Sequence, residues 1–545
     1  MIDFRYSGFV GVSAAVLLMA ACTNDEAIRN ITPEDGSEKT AVVKFAFQVE
    51  REESGLQSKI TRDGDPNEQK QDVNYVPDKS VLEGESDINN VRIFYFPVNE
   101  ANDFSGKYNE MTIAYDKNNT DGSKYYPIPY ITDENYEKGR YHFYALVNNT
   151  DFKAWDGMTE KDFRDAIVTY STPTYYDFAN RKITSNGLPM ASRRSDDNQV
   201  TITGDADRLY VDGRLLNGSD SLTVSFIVER GVAKVVYQCK KPENVYPVTI
   251  AEGTTTYHLA DVTLNEARIC GKRNSSYLFR HVGTFESSDG QTGTLSNVGF
   301  GALGLYDASD YYSTIGFFVL DPTFEDKYNN VDKVTFFSGS KFNELDATPD
   351  EFAKLISTVD GQCVIDYPLE NTMPRQMQQQ HVSTGVVFKA SLTPDAERYF
   401  VQNGGNVVLG TYAAGQDLYY CDGYFADSKE TLEKIPALKN TGQDITAKTT
   451  IYKGGICYYV YWIREITAGD PVKMNNMEFC IVRNTAYYVG IDNVKGLGAP
   501  TASSSIIEGD PDKGRNLLID VTIQVFPWIR NEQGSVDIYS AKARR

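Results

Sequence analysis

Residues able to do catalytic chemistry are few and scattered in this sequence. His142, His258, His281 and His381 are its four histidines, each isolated. No metal-binding His pair at helical spacing and no Ser–His or Cys–His couple is therefore written locally. A G-x-S-x-G elbow, an H-E-x-x-H, a P-loop and a G-x-G-x-x-G opening a helix are all missing. Asp63-Gly64-Asp65-Pro66-Asn67 begins as a calcium loop does, yet Glu68 stands where the sharp turn needs Gly and Asn74 where the bidentate Glu belongs. Solvated surface acids account for this stretch better. Carboxylates distant in sequence could still meet in a cleft for glycoside hydrolysis, but among 75 Asp and Glu nothing singles out a pair. The expectation is a protein without catalysis, metal or cofactor.

Cysteine chemistry is equally sparse. Cys239, Cys270, Cys363, Cys421, Cys457 and Cys480 form no C-x-x-C and have no companion His at ligand spacing. In an exported chain they could pair as disulfides, and buried small hydrophobes are the other reading. Cys22 is different. It closes Leu18-Met19-Ala20-Ala21-Cys22, the end of an apolar run from Phe9 to Ala21 that follows Arg5. That run has the length of a signal-peptide core and is too short to span a bilayer. Small residues before a Cys at this place resemble the lipobox of bacterial lipoproteins, which makes Cys22 the expected lipidation site. Asp25 and Glu26 behind it resemble the surface-export signal of Bacteroidales lipoproteins, so the outer face of the outer membrane is the expected destination.

Composition bounds the partners. With 54 Lys+Arg against 75 Asp+Glu the formal charge is −21, which repels phosphate backbones and anionic headgroups and excludes nucleic acid as a partner. An apolar fraction of 41% over 545 residues is globular composition with room for two large domains or three smaller ones. The 36 Tyr and 27 Phe lean towards β structure.

The elements that would carry any site are strands. Ala41 to Glu50 alternates, with Val43, Phe45, Phe47 and Val49 on one face. It runs into Arg51 to Asp72, whose Glu, Gln, Asp, Gly and Asn predict an exposed, flexible loop. Strands are expected at Val91 to Phe96, Tyr141 to Val147, Gln199 to Thr203 and Leu222 to Gln238. Short helices are expected at Thr159 to Tyr170 and from Thr348-Pro349-Asp350-Glu351 onward. Lys240 to Tyr246 reads as a break between domains. Beyond it strands are expected at Gly385 to Leu392, Gly405 to Tyr412, Ile456 to Ile463 and Phe479 to Ile491, and Gly496 to Ser505 reads as a flexible linker. The last strand places Ile519, Val521, Ile523 and Val525 on one face and ends in Phe526-Pro527-Trp528. No solenoid-length repeat is present, so two consecutive β-sandwich domains are the expected architecture.

The first and last strands are chemically interchangeable. Each presents four apolar residues at period two, and burying four such side chains stabilises by on the order of 6 to 12 kcal/mol gross. A sandwich that lost one strand would favour a replacement of the same pattern. Arg62 offers a trypsin-like protease a target after the first strand, and the linker would let the last one swing away. Exchange of strands between subunits follows as a possibility; two ordinary strands of one monomer are the alternative.

Several stretches resemble the fimbrillins of Bacteroidales, specifically the Mfa-type major subunit of short fimbriae, which form type V pili. They are Val228-Glu229-Arg230-Gly231-Val232-Ala233-Lys234-Val235, Gly385 to Pro394, Tyr452-Lys453-Gly454-Gly455 leading into Tyr458-Tyr459-Val460-Tyr461-Trp462, and Ile481-Val482-Arg483-Asn484 continuing to Gly498. Val521-Thr522-Ile523, Pro527-Trp528 and Val536-Asp537-Ile538 complete the set. The resemblance is thinner between residues 63 and 220. It implies a mainly β fold of two tandem transthyretin-like β-sandwich domains with a few short helices. Residues 1–21 would be the signal peptide, 22–39 a tether, 40–62 the N-terminal strand and propeptide, 63–242 the first sandwich and 243–545 the second, with a donor strand within 517–538. It also implies that an Arg-specific surface protease cuts after Arg62, with Arg51 as runner-up, and that the groove left behind accepts another subunit's last strand. Partners would be further copies of the chain, accessory and anchor subunits, and a host or bacterial surface ligand. A chain with both a cleavage site and a donor strand fits the shaft of a fimbria better than its tip or anchor. The competing reading is a surface glycan-binding lipoprotein, for which Tyr419-Tyr420, Tyr458-Tyr459 and Tyr487-Tyr488 could offer sugar platforms. Neighbours in a strand point to opposite faces, so at most one of each pair could face a ligand.

Overall fold

The computed structural model describes residues 42–49, 59–62 and, with interruptions of which 114–138, 301–316, 466–477 and 506–517 are the longest, 80–527. Nearly all its elements are strands. Those that matter below are β1 (Val42–Val49), β2 (Lys59–Arg62), β3 (Val91–Val98), β4 (Gly139–Val147), β5 (Ser221–Arg230), β6 (Lys234–Gln238), β7 (Thr255–Cys270), β8 (Gln362–Asp366), β9 (Gly385–Pro394), β10 (Ile456–Trp462), β11 (Thr485–Val494) and β12 (Ile519–Pro527).

An N-terminal sheet begins at its edge with β1, continues through β5, Met190–Ser192 and β4, and carries β3 on β4. Its core is aromatic. Phe94, Phe96, Tyr144, Phe152 and Phe279 surround Phe163 with ring centroids 4.5 to 5.6 Å away. Phe163 is delivered by α1 (Glu160–Arg164), whose start is fixed by a capping box: the Thr159 hydroxyl accepts from the Asp162 amide, and the Asp162 carboxylate accepts from the Thr159 amide at 2.9 Å. The helix expected to reach Tyr170 stops at Arg164. Ile167–Thr169, rich in β-branched residues, instead pairs with Ser275–Tyr277 and leaves Ile167 51% exposed.

A second sheet, in the order β2-β12-β11-β6-β8, runs through the middle of the molecule. Alternation turns its residues to opposite sides. Val236, Val364, Ala486 and Tyr488 join the aromatic core. Val235, Tyr237, Cys363, Ile365, Tyr487, Val489, Val521 and Ile523 join a second core. A third sheet, Val245–Glu252, β7, β9 and β10, closes that second core from the far side with Val262, Leu264, Phe388, Ala390 and Tyr459, making a β-sandwich.

Several expectations change. The single strand expected over Leu222 to Gln238 is two, because the chain leaves the first sheet at Gly231 and enters the second at Lys234. Val232–Tyr237 is buried without a break, so no alternation marked the transfer. The strand expected from Phe479 begins at Thr485, after Asn484 turns through a positive φ of 54°. That expected over Gly405 to Tyr412 is shorter, Asn406–Leu409, in a hairpin turned by Gly404 and Gly405 at φ of 56° and 87°. Residues 348–351, where a helix was expected to start, lie outside the described residues, and Ala353–Lys354 just beyond form a short strand on β7. The segment expected as a flexible linker is packed. Ala499 exchanges two backbone hydrogen bonds of 2.8 Å with Tyr458, Ala502 is buried, and a Cβ at Gly498 would stand 2.5 Å from the Tyr458 carbonyl oxygen. Glycine here permits close backbone approach rather than mobility. The cysteines described are all buried, and none of them forms a disulfide with another described cysteine.

Candidate functional site: two terminal strands and the junction between the cores

The strands singled out by their pattern occupy two different sheets. β1 pairs in parallel with β5, from Val42 opposite Ser221 to Val49 opposite Val228. This puts Val43, Phe45, Phe47 and Val49 at the register positions of Leu222, Val224, Phe226 and Val228, of which Phe226 and Val228 are buried. Because β1 ends the sheet order, one ladder holds it among the described residues. Its departure would leave the β5 edge bare.

β12 is placed otherwise. It runs antiparallel to β11 from Ile519 opposite Val494 to Pro527 opposite Thr485, with a bulge between Ile491 and Asn493. Ile519, Val521 and Ile523 are 6, 0 and 1% exposed in the second core; Val525 sits opposite Tyr487. On its other side β12 pairs with β2, Lys59 opposite Val525 and Arg62 opposite Thr522. The loop expected around Arg62 is therefore a strand over residues 59–62. Cys22 and Arg51 lie outside the described residues, as does Trp528.

The chain passes between the cores through a cluster of buried charges that sequence reading did not single out as such. Glu229, Arg230 and Lys234 are 2, 1 and 0% exposed. Lys234 Nζ lies 2.9 Å from Glu85 Oε1, to which the Tyr367 hydroxyl donates at 2.6 Å, and Arg230 Nε donates to the Glu85 carbonyl at 3.1 Å. Arg483, equally buried, grips Glu370 with two hydrogen bonds of 2.7 Å, while Arg280 pairs with Glu229 at 2.6 Å. Burial pushes the Glu370 carboxyl above its usual range, with Arg483 pulling it back. The signal was present in Glu-Arg and Lys within an otherwise apolar run.

No cluster that could hold a metal occurs among the described residues. Tyr487 and Tyr488 are both buried, one on each face of the middle sheet, so this pair offers no sugar platform. Tyr458 and Tyr459 divide as strand geometry requires, Tyr459 buried and Tyr458 half-buried.

Among curated proteins no sequence matches this chain. Solved structures resemble it at low similarity. A fimbrilin (FimA) from Porphyromonas gingivalis is 12% identical, with 91% of this chain and 99% of that one covered and a TM-score of 0.37. A protein from Parabacteroides distasonis described as a cell adhesion protein is 13% identical over 90% of this chain and 100% of that one, with a TM-score of 0.36. The tip fimbrial protein Mfa3 from Porphyromonas gingivalis is 10% identical over 82% and 96%, with a TM-score of 0.30. Sequence speaks more directly. Residues 450–534, which contain β10, β11 and β12, match the family model of the C-terminal region of fimbrillin, the major fimbrial subunit protein type IV. Residues 450–534 of this chain are therefore similar to the C-terminal region of fimbrillins.

Proposed function

We propose that this protein is a non-catalytic structural subunit of a cell-surface fimbria serving adhesion, built as two tandem transthyretin-like sandwiches that share the middle sheet. The precursor is exported as a lipoprotein modified at Cys22 and reaches the outer face of the outer membrane. An Arg-specific protease cuts after Arg62, and β1 leaves its edge position. The vacated row along β5 then accepts β12 of another copy, with Ile519, Val521, Ile523 and Val525 replacing Val43, Phe45, Phe47 and Val49. Accessory and anchor subunits would join by the same exchange.

The observation that carries this reading is the edge position of β1, joined among the described residues to β5 alone. An edge strand can be withdrawn without breaking a ladder on its second side. Donation has a cost, since taking three buried aliphatic side chains of β12 out of the second core gives up roughly 5 to 9 kcal/mol gross. Filling the groove of the next subunit with the same side chains offsets it.

Limited trypsin treatment of the purified precursor tests the mechanism. Cleavage near Arg62 is expected to yield a ladder of oligomers on native gels and filaments by electron microscopy, and deletion of residues 517–545 is expected to abolish both. Cleaved chain that stays monomeric, or a deletion that polymerises normally, would sink it.

A further inference from the structure

The contact between β2 and β12 has no counterpart in strand exchange as set out above. We propose that β2 is a latch on the C-terminal strand, so that one cut after Arg62 releases both the strand that fills the groove and the strand that restrains the donor. The functional part rests on the donor-strand reading; the latch contact itself does not.

The sheet order places β12 between β11 and β2. Over Thr522 to Val525 its backbone is paired on both sides, to Gly490, Val489, Tyr488 and Tyr487 on β11 and to Arg62, Thr61, Ile60 and Lys59 on β2. A strand paired on both sides cannot be peeled away without breaking two ladders. With β2 gone, β12 becomes an edge strand held by β11 alone, the condition that β1 already enjoys in its own sheet. The doubly paired stretch includes Ile523 and Val525, half of the apolar row proposed for donation. Without a latch, a precursor could donate its last strand before its own groove was open.

The position of the cut adds to the argument. Arg62 is the last paired residue of β2, and β1 and β2 both lie on its N-terminal side. Before cleavage β2 is held near β12 by the continuous chain on either side, which keeps its effective concentration high. After cleavage that tether is lost on the C-terminal side, and a ladder of this length does not persist by itself. The propeptide thus touches both sheets, β5 through β1 and β12 through β2. Its loss acts on the receiving and donating ends of one subunit together.

Hydrogen exchange on the full-length precursor tests the contact without any cleavage. Replacing Ile60→Pro and Thr61→Pro removes two adjacent amides, one of which must face the ladder. Amides of residues 522–525 are then expected to exchange about tenfold faster or more while those of 486–489, held also by β6, stay unchanged. A second variant, Ile60→Cys with Gln524→Cys, joins a directly opposed pair and leaves buried Ile523 intact. It is expected to oxidise to an intramolecular disulfide in the monomer. Once cut after Arg62, it should stay monomeric until a reductant is added. Unchanged exchange at 522–525 together with failure to crosslink would overturn the latch. So would a crosslinked, cut chain that polymerises as fast as the uncrosslinked one. Wild-type chain that is cut but never polymerises strikes at the fimbrial mechanism instead, and exchange in the proline variant still decides whether β2 holds β12.

Discussion

Arg483 shows what a charge does when a fold buries it completely. Its guanidinium is 1% exposed and faces Glu370 through a two-pronged contact, with Glu229 3.9 Å away. Such a pair adds little net stability compared with a well-packed apolar substitute, yet removing one partner leaves the other charged and dry. Arg483→Met is therefore expected to cost about 3 to 5 kcal/mol, measured as a lowered urea midpoint. Adding Glu370→Leu to it should recover part of that loss. A cost below about 1 kcal/mol for the single variant, the level of a surface pair, would show that water reaches the site. Pairing partners so distant in sequence were not legible beforehand. Arg483 and Glu370 could be seen as charges beside apolar residues, but only the placing of β8 and β11 on either side of β6 in one sheet brings the segments that carry them together.

At the level of elements, alternation served well wherever one face met a core and the other met solvent or a neighbour. β12, β10 and the second half of β9 were legible for that reason, whereas β3 and β4, buried along most of their length, were marked by the turn residues around them. Pattern failed where both faces were buried, as along Val232–Tyr237, because a sheet with a core on each side needs no polar face. Residues 496–502 failed differently, since small residues that permit contact look the same in a list as small residues that permit motion. β12 gives the element-scale prediction. Ile523, at 1% exposure, is a core residue of the precursor, so Ile523→Ala should destabilise it by about 2 to 5 kcal/mol, read by chemical denaturation. On the exchange mechanism the same substitution weakens the polymer, because the side chain that leaves one core fills the next groove. Full-strength filaments from a destabilised precursor would argue that this residue is not donated.

For the whole molecule, on the proposed fimbrial reading, the charge of −21 would keep many copies soluble side by side and oppose lateral bundling of a filament. The β-sandwich architecture was legible, but a single sheet with a core on each side was not, because nothing local in β6, β8 or β11 announces what covers each side. The consequence concerns heat. Two domains joined by a tether melt independently, whereas here neighbouring residues on one strand, Tyr487 and Tyr488, belong to opposite cores. Neither core can dissolve while the middle sheet stays ordered for the other. Calorimetry on the precursor is expected to give one transition whose van't Hoff and calorimetric enthalpies agree, and two resolved peaks would contradict this coupling. A subunit that melts as one piece has no weaker half to yield first, so on the fimbrial reading warming would take each link from fully folded to lost without a softened state between.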